Sequence, residues 1–116
     1  MSRLTWEAHH DDEMLRFALA GEFDLSNAPQ VEDALKEVEG DRPSLLVIDL
    51  RELTFMDSTG LRVMVSADAR ARDDSRRLVV VQGPESVHRV FRITGLDDHL
   101  DIVETPEAAL VDGEQL

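Results

Sequence analysis

The chain has 116 residues, 42% of them hydrophobic, and a formal net charge of −13. That length predicts a single domain over residues 1–116, and the negative charge disfavours direct binding to nucleic acid. It has no cysteine, which excludes disulfides and thiol chemistry, and no apolar run of membrane-spanning length, so we expect a cytoplasmic protein that does not bind membranes.

Two strands joined as a hairpin are predicted at the start of the chain. Alternating apolar residues begin at Leu4 in the first strand and at Leu15 in the second, a spacing typical of half-buried strands. The polar segment from His9 to Glu13 lies between them. Its side chains could bind a metal ion weakly, but a charged hairpin turn explains it better, and we predict no metal site. Residues 21–25 then lead the chain out of the sheet.

A helix, a central strand and a second helix follow. Ser26 or Asn27 can cap the first helix, which has Pro29 in its first turn. The nearly all-apolar run 45–50 predicts a strand that is covered on both faces, as in the middle of a parallel sheet. The pattern becomes helical again at Ser58 and stays so until about residue 73, with Asp68 as an acidic mismatch at an edge or in an exposed last turn.

The remaining sequence predicts two further strand–helix pairs. A strand covers 77–82, and the next helix ends at Gly95. A short strand near 102–103 precedes a final helix over about 106–111, and the tail beyond it should fray. The fold class is therefore α/β, with a mostly parallel sheet that is opened by a β-hairpin and has four helices packed against it.

The joint between the central strand and the second helix is the most informative feature. It reads Asp57-Ser58-Thr59-Gly60, and a helix N-terminus with its backbone amides favours negative charge. One interpretation is structural: Ser58 caps the helix and Gly60 permits close packing. The other makes Ser58 a phosphoacceptor, so that a docked partner would meet about −1.5 to −2 new charges. Thr59 is an alternative acceptor, because both hydroxyls lie in the first turn.

Three residues near this joint are further candidates. In a sheet of this order, the loop that carries Asp24 should lie beside the loop before Ser58. Asp24 is either a solvated or capping carboxylate or part of the surface around Ser58. Phe55 and Met56 belong either to the core or to a small exposed apolar patch, and we expect at least one of them in the core.

Enzymatic interpretations fit the residues poorly. A nucleophilic serine needs a base and an oxyanion site, and the hydrolase elbow motif requires glycine where Met56 stands. The glycine-rich motifs that bind nucleotide phosphates are absent. A receiver domain pairs an acidic pocket with a lysine, and the single lysine, Lys36, lies on the wrong element. We therefore predict a protein that is not an enzyme and has no cofactor.

The segments 21–24 (GEFD), 48–50 (IDL) and 55–61 (FMDSTGL) together resemble a STAS domain, and more narrowly the bacterial anti-sigma factor antagonists. The resemblance implies that Ser58 is phosphorylated by an ATP-dependent serine kinase, which is often the anti-sigma factor itself. The unphosphorylated protein would bind the anti-sigma factor and so free the sigma factor. Phosphorylation would end that binding, and a serine phosphatase would restore it.

This resemblance, together with the residues beside the joint, implies a partner-binding surface. Its predicted members are Asp24, Phe55, Met56, Asp57, Thr59, Gly60 and Arg62. Arg62 stands where the family often has a second glycine, and it could pair with a phosphate on Ser58. The alternative function keeps the fold but makes the domain a constitutive adaptor subunit, in a lipid-transport or scaffold complex, in which Ser58 is only a helix cap.

Overall fold

The strands and helices follow the predicted order in the computed structural model, which describes residues 3–11 and 14–112 (side chains as far as 110). Their bounds are β1 Leu4–His10, β2 Leu15–Phe23, α1 Ala28–Glu39, β3 Leu45–Met56, α2 Ser58–Asp73, β4 Arg77–Val81, α3 Glu85–Thr94, β5 Ile102–Val103 and α4 Pro106–Asp112. Asp112, at which the predicted tail begins, is the last residue of α4. The rest of that tail, residues 113–116, lies outside the described residues.

Within the described residues the strands form one sheet in the order β1-β2-β3-β4-β5. β1 and β2 pair antiparallel as a hairpin, and every later pairing is parallel. This arrangement confirms the predicted α/β class with its opening hairpin. It also places β3 in the middle of the sheet.

The first half of the central strand is covered on both faces, as its apolar run predicts, whereas most residues from Arg51 to Phe55 are exposed. All six residues from Leu45 to Leu50 are buried. Side chains alternate between the two faces of a strand, so Leu46, Ile48 and Leu50 join one core cluster while Leu45 and Val47 join another. α1, α2 and α3 cover the first cluster, and α4 covers the second through Ala109.

Several local predictions are wrong. β2 continues to Phe23, so Gly21, Glu22 and Phe23 belong to the sheet instead of leading out of it. His9 and His10 are the last residues of β1 and not turn residues. Asp11 follows β1 directly, and Asp12 and Glu13, the last residues of the predicted charged turn, lie outside the described residues.

Asp68 is also placed differently from the prediction. Only 5% of it is exposed, on the buried face of α2, instead of at an edge or in an exposed turn. Arg72, four residues later, donates from Nε to Oδ2 of Asp68 at 2.8 Å. An acidic side chain can occupy this face because a cation one turn along the helix neutralises it.

Candidate functional site

The pairing of β2 with β3 brings the two candidate loops together. Phe23 and Met56, the last residues of the two strands, are register partners. One residue further, the amide of Asp57 donates to the carbonyl oxygen of Phe23 at 3.3 Å. The expected proximity of the Asp24 loop and the Ser58 joint is therefore confirmed.

Asp57, and not Ser58, caps α2. Asp57 has extended backbone angles, and its Oδ1 accepts hydrogen bonds from the amides of Thr59 at 2.9 Å and Gly60 at 3.1 Å. Ser58 is the first residue of the helix, and its side chain is exposed. The structural interpretation of Ser58 as the cap is thus wrong, and the hydroxyl has no capping role that would compete with modification.

The same cap changes the electrostatics expected around Ser58. The amides of Thr59 and Gly60 are already bound to the Asp57 carboxylate, so they are not available to a phosphate on Ser58. The helix dipole still favours an anion at this end, but the nearby Asp57 carboxylate opposes it. A phosphate here would therefore need a cation from elsewhere on the surface.

Asp24 begins a short, internally bonded loop. Its Oδ1 accepts from the amide of Ser26 at 3.0 Å and from Oγ of Ser26 at 2.6 Å. The residue remains partly exposed and so keeps a place on the surface near Ser58. Its carboxylate therefore shapes the loop and is also accessible to a partner.

Asn27 holds this loop from inside. It is only 2% exposed; its Oδ1 accepts from the amide of Asp24 at 3.0 Å, and its Nδ2 donates to the carbonyl oxygen of Glu22 at 2.9 Å. It occupies the N-cap position of α1, but its side chain makes no capping hydrogen bond. The sequence suggested only a cap here. Asparagine two or three residues after an acidic turn residue is the pattern that could have indicated a loop brace.

The apolar candidates divide between core and surface. Phe55 is 48% exposed and Met56 is 3% exposed, which confirms that one of the two lies in the core. Met56 is too deeply buried to contact a partner, so its predicted binding role is wrong. Leu25, which the sequence did not single out, is 71% exposed.

Gly60 is buried as well and supports the joint instead of contacting a partner. A Cβ at Gly60 would lie 2.8 Å from Cγ of Met56 and 3.0 Å from Cδ2 of Phe23. Real Cβ atoms do not approach neighbours so closely. The first turn of α2 can therefore pack on the ends of β2 and β3 only because this residue has no side chain.

A shallow groove between the N-terminal halves of α1 and α2 begins beside the joint. It has a volume of about 180 Å³, and its lining is mainly apolar. We call it the α1–α2 groove, and it is lined by Leu25, Ala28, Pro29, Glu32, Thr59, Arg62, Val63 and Ser66. Thr59 is partly buried here, whereas Arg62 is exposed. The groove, Asp24, Phe55 and Ser58 thus lie at the same end of the sheet.

The buried acid with a shifted pKa lies away from this surface. Asp49 of β3 accepts hydrogen bonds from Arg16 at 3.1 Å and from Arg51 at 2.8 Å. Burial by itself raises the pKa of Asp49, but the hydrogen bonds from Arg51 and Arg16 outweigh it and hold the pKa below 3.8. By strand alternation, Asp49 shares the sheet face of Val47 and α4, so it supports the fold and not the site.

Two features, a metal-binding cluster and a membrane-spanning helix, are not found in the part of the chain that the structure describes. Residues 3–11 and 14–112 contain no group of three or more histidine or acidic side chains arranged to hold a metal ion. Among the same residues, no helix has the length and apolar character needed to cross a membrane.

Comparisons with known proteins agree with this geometry. The STAS domain family model matches residues 5–109. An anti-sigma-B factor antagonist of Listeria monocytogenes is 38% identical over 92 residues, which are 79% of this chain and 81% of that protein. The crystal structure of an anti-sigma factor antagonist from Mycobacterium paratuberculosis superposes with a TM-score of 0.86 at 28% identity, covering 94% of this chain and 92% of the other.

A more distant fold relative is known in a modified state. The Bacillus cell fate determinant SpoIIAA in its phosphorylated form superposes with a TM-score of 0.70 at 18% identity, over 95% of this chain and all of that one.

The present chain belongs to the STAS domain family and, within it, to the bacterial anti-sigma factor antagonists.

Proposed function

We propose that this protein is a phosphorylation-controlled anti-sigma factor antagonist. In its unphosphorylated form it binds an anti-sigma factor and releases the sigma factor; a serine kinase, which can be the anti-sigma factor itself, phosphorylates Ser58 and ends that binding. A phosphatase restores the binding form. The role is that of a regulatory binding protein in the cytoplasm and not of an enzyme.

The observation that carries this proposal is the position of Ser58. Its side chain is exposed at the first residue of a helix that Asp57 already caps. A kinase can therefore reach the hydroxyl without unfolding the helix. Because the cap does not involve Ser58, the added phosphate changes the surface charge and leaves the helix start intact.

The surroundings of Ser58 support a docking surface of the predicted kind. Phe55 and Leu25 expose apolar side chains near a partly exposed carboxylate, Asp24. Apolar side chains with a polar rim are typical of the central parts of protein interfaces. Thr59 is partly buried in the α1–α2 groove, so Ser58 is the better acceptor of the two.

Binding to the anti-sigma factor of the same organism tests the proposal. Ser58→Asp should weaken binding by about tenfold or more, because a negative charge is placed inside the interface. Ser58→Ala should bind like the unmodified protein, and Ser58→Asn serves as the uncharged control of the same shape as aspartate. Equal affinities for the aspartate and asparagine variants would contradict the charge switch.

Phosphorylation itself is tested with the kinase and ATP. Ser58→Ala should abolish phosphate incorporation, whereas Thr59→Ala should reduce it little. Mapping of the phosphorylated residue in the protein isolated from its own host, with and without stress, should find a phosphate on Ser58 whose occupancy changes. Absence of phosphate under every condition would favour the constitutive adaptor.

A further inference from the structure

We propose that Arg62 changes partners when Ser58 is phosphorylated: it pairs with a carboxylate of the anti-sigma factor in the unphosphorylated protein and with the phosphate on Ser58 afterwards. Phosphorylation would then act twice, by adding an anion to the interface and by withdrawing the cation that the partner had contacted. This inference rests on the proposed function of Ser58.

The helix geometry places the two side chains next to each other. Arg62 is four residues after Ser58 on α2, and both side chains are exposed. Residues at that spacing are neighbours on one face of a helix, and helical side chains lean toward the N-terminus. The guanidinium of Arg62 can therefore reach back over Ser58.

The other donors near a phosphate on Ser58 are already bound. Asp57 holds the amides of Thr59 and Gly60, and its own charge repels a phosphate. Among the residues that line the α1–α2 groove or form the joint 57–60, all of which the structure describes, Arg62 is the only cation. A phosphate on Ser58 thus depends on Arg62 for charge compensation at this surface.

Arg62 is also available for such an exchange. The acid that shares the groove with it, Glu32, is bound to Arg70 of α2. Arg62 itself makes no hydrogen bond or ion pair with any residue in the described ranges 3–11 and 14–112. Guanidinium groups bind carboxylates and phosphates in the same two-pronged geometry, so either anion suits the same side chain.

The groove indicates what the partner presents. A volume of about 180 Å³ is below the roughly 300–1,000 Å³ typical of small-molecule sites, so a single partner side chain suits it better. The lining beside Leu25 is mainly apolar, which favours an apolar side chain. The net charge of −13 repels acidic groups over most of the surface. Arg62, a cation at the groove, is the place where an acidic group of the partner would be attracted instead. We therefore expect an apolar residue flanked by an acidic one.

The first experiment measures the ionisation of the phosphate. Phosphoserine is installed at position 58 by genetically encoded incorporation, without a kinase, and its second pKa is followed by ³¹P NMR. Arg62→Gln should raise that pKa by about 0.2–0.4 of a pH unit, and Arg62→Lys should raise it less. The matched control is Arg89→Gln, which removes an exposed arginine from α3 and should cause no shift. Identical pKa values in the Arg62→Gln and Arg89→Gln proteins would overturn the phosphate contact.

The second experiment measures docking of the unphosphorylated protein to the anti-sigma factor. Arg62→Gln should weaken binding about fivefold or more, and Arg62→Glu should weaken it further, while Arg89→Gln stays within twofold of the unmodified protein. Circular dichroism and thermal unfolding verify that each variant is folded. If Arg62→Gln binds like Arg89→Gln while Ser58→Asp still weakens binding about tenfold or more, this inference fails and the proposed function stands.

Discussion

The amide of Asp57 donates to the carbonyl oxygen of Phe23 across 3.3 Å, and this contact extends the pairing of β2 and β3 into the loops that follow them. Asp24 comes directly after Phe23, and Ser58 comes directly after Asp57. The relative position of the two loops is therefore set by backbone pairing in the sheet. Side chains at the surface can vary without moving Ser58.

Removal of the helix cap should destabilise the protein modestly. Asp57→Ala deletes the oxygen that binds the amides of Thr59 and Gly60, and we expect the free energy of unfolding to fall by about 1 kcal/mol. Chemical denaturation measures this change. Asp57→Asn keeps an acceptor oxygen and should retain most of the stability, so an equal loss in both variants would contradict the capping role.

A methyl group at position 60 should destabilise the fold, although alanine favours helices over glycine by about 1 kcal/mol. Its Cβ would meet Met56 and the ring of Phe23 at 3.0 Å or less, and overpacking of this kind costs about 1–3 kcal/mol. Thermal unfolding of Gly60→Ala should show a lower midpoint. Ser66→Ala, on the same helix, provides the control and should change the midpoint little; a stabilised Gly60→Ala would show that the joint can relax.

Loss of the Asn27 side chain should weaken partner binding, although Asn27 itself is buried. Asn27→Ala removes the hydrogen bonds to Glu22 and Asp24, and we expect a loss of about 1–3 kcal/mol in stability because buried backbone groups lose their partners. Affinity for the anti-sigma factor should also fall, since the loop that carries Asp24 is released. Ser26→Ala should have the smaller effect on both, and the opposite ranking would contradict the bracing role.

The ion pairs of Asp49 should make stability depend on pH in the acid range. Arg51 and Arg16 hold the pKa of Asp49 below its ordinary 3.8 in spite of burial. A depressed pKa contributes stability that is present above the unfolded-state pKa and is lost as the pH falls through the folded-state pKa. The unmodified protein should therefore lose this contribution below about pH 4.

Replacement of Asp49 by asparagine measures how much of the pH dependence of stability comes from its charge. Asp49→Asn should be less stable than the unmodified protein at pH 7, and the difference should shrink as the pH falls below about 4. Unfolding by urea across this range measures both curves. Asp33→Asn, which changes an exposed acid on α1, is the control. A difference that stays constant with pH would show that the charge of Asp49 contributes no pH dependence.

The sequence predicted those features that depend on local patterns. The nearly all-apolar run Leu45–Leu50, in which Asp49 is the one polar residue, identified a strand buried on both faces, since a strand at the surface would alternate with polar residues. The change to helical spacing after Asp57 located the start of α2 at Ser58. Both depend on periodicity, which a single sequence displays directly.

The proximity of the Asp24 loop and the Ser58 joint follows from the order of the strands, but side-chain contacts between distant segments could not be predicted. The role of Asn27 requires knowledge of where the ends of β2 and β3 meet, and Leu25 becomes part of a groove only when α1 and α2 pack together. The wrong prediction for Asp68 has a local cause, because the acid is paired with Arg72 one turn along the same helix and can therefore be buried. The predicted roles of Ser58 and Arg62 stay predictions until they are tested by experiment.

The capped start of α2 also determines how quickly the proposed switch could respond. Asp57 binds the two helix amides in the unmodified protein, so the addition of a phosphate to Ser58 requires no refolding of the first turn. Refolding or domain rearrangement can take microseconds to seconds, whereas exposed side chains reorient within about nanoseconds. The time between a signal and the change in sigma factor release would therefore be set by the turnover of the kinase and phosphatase and by partner association and dissociation, and no refolding step in the antagonist would add to it.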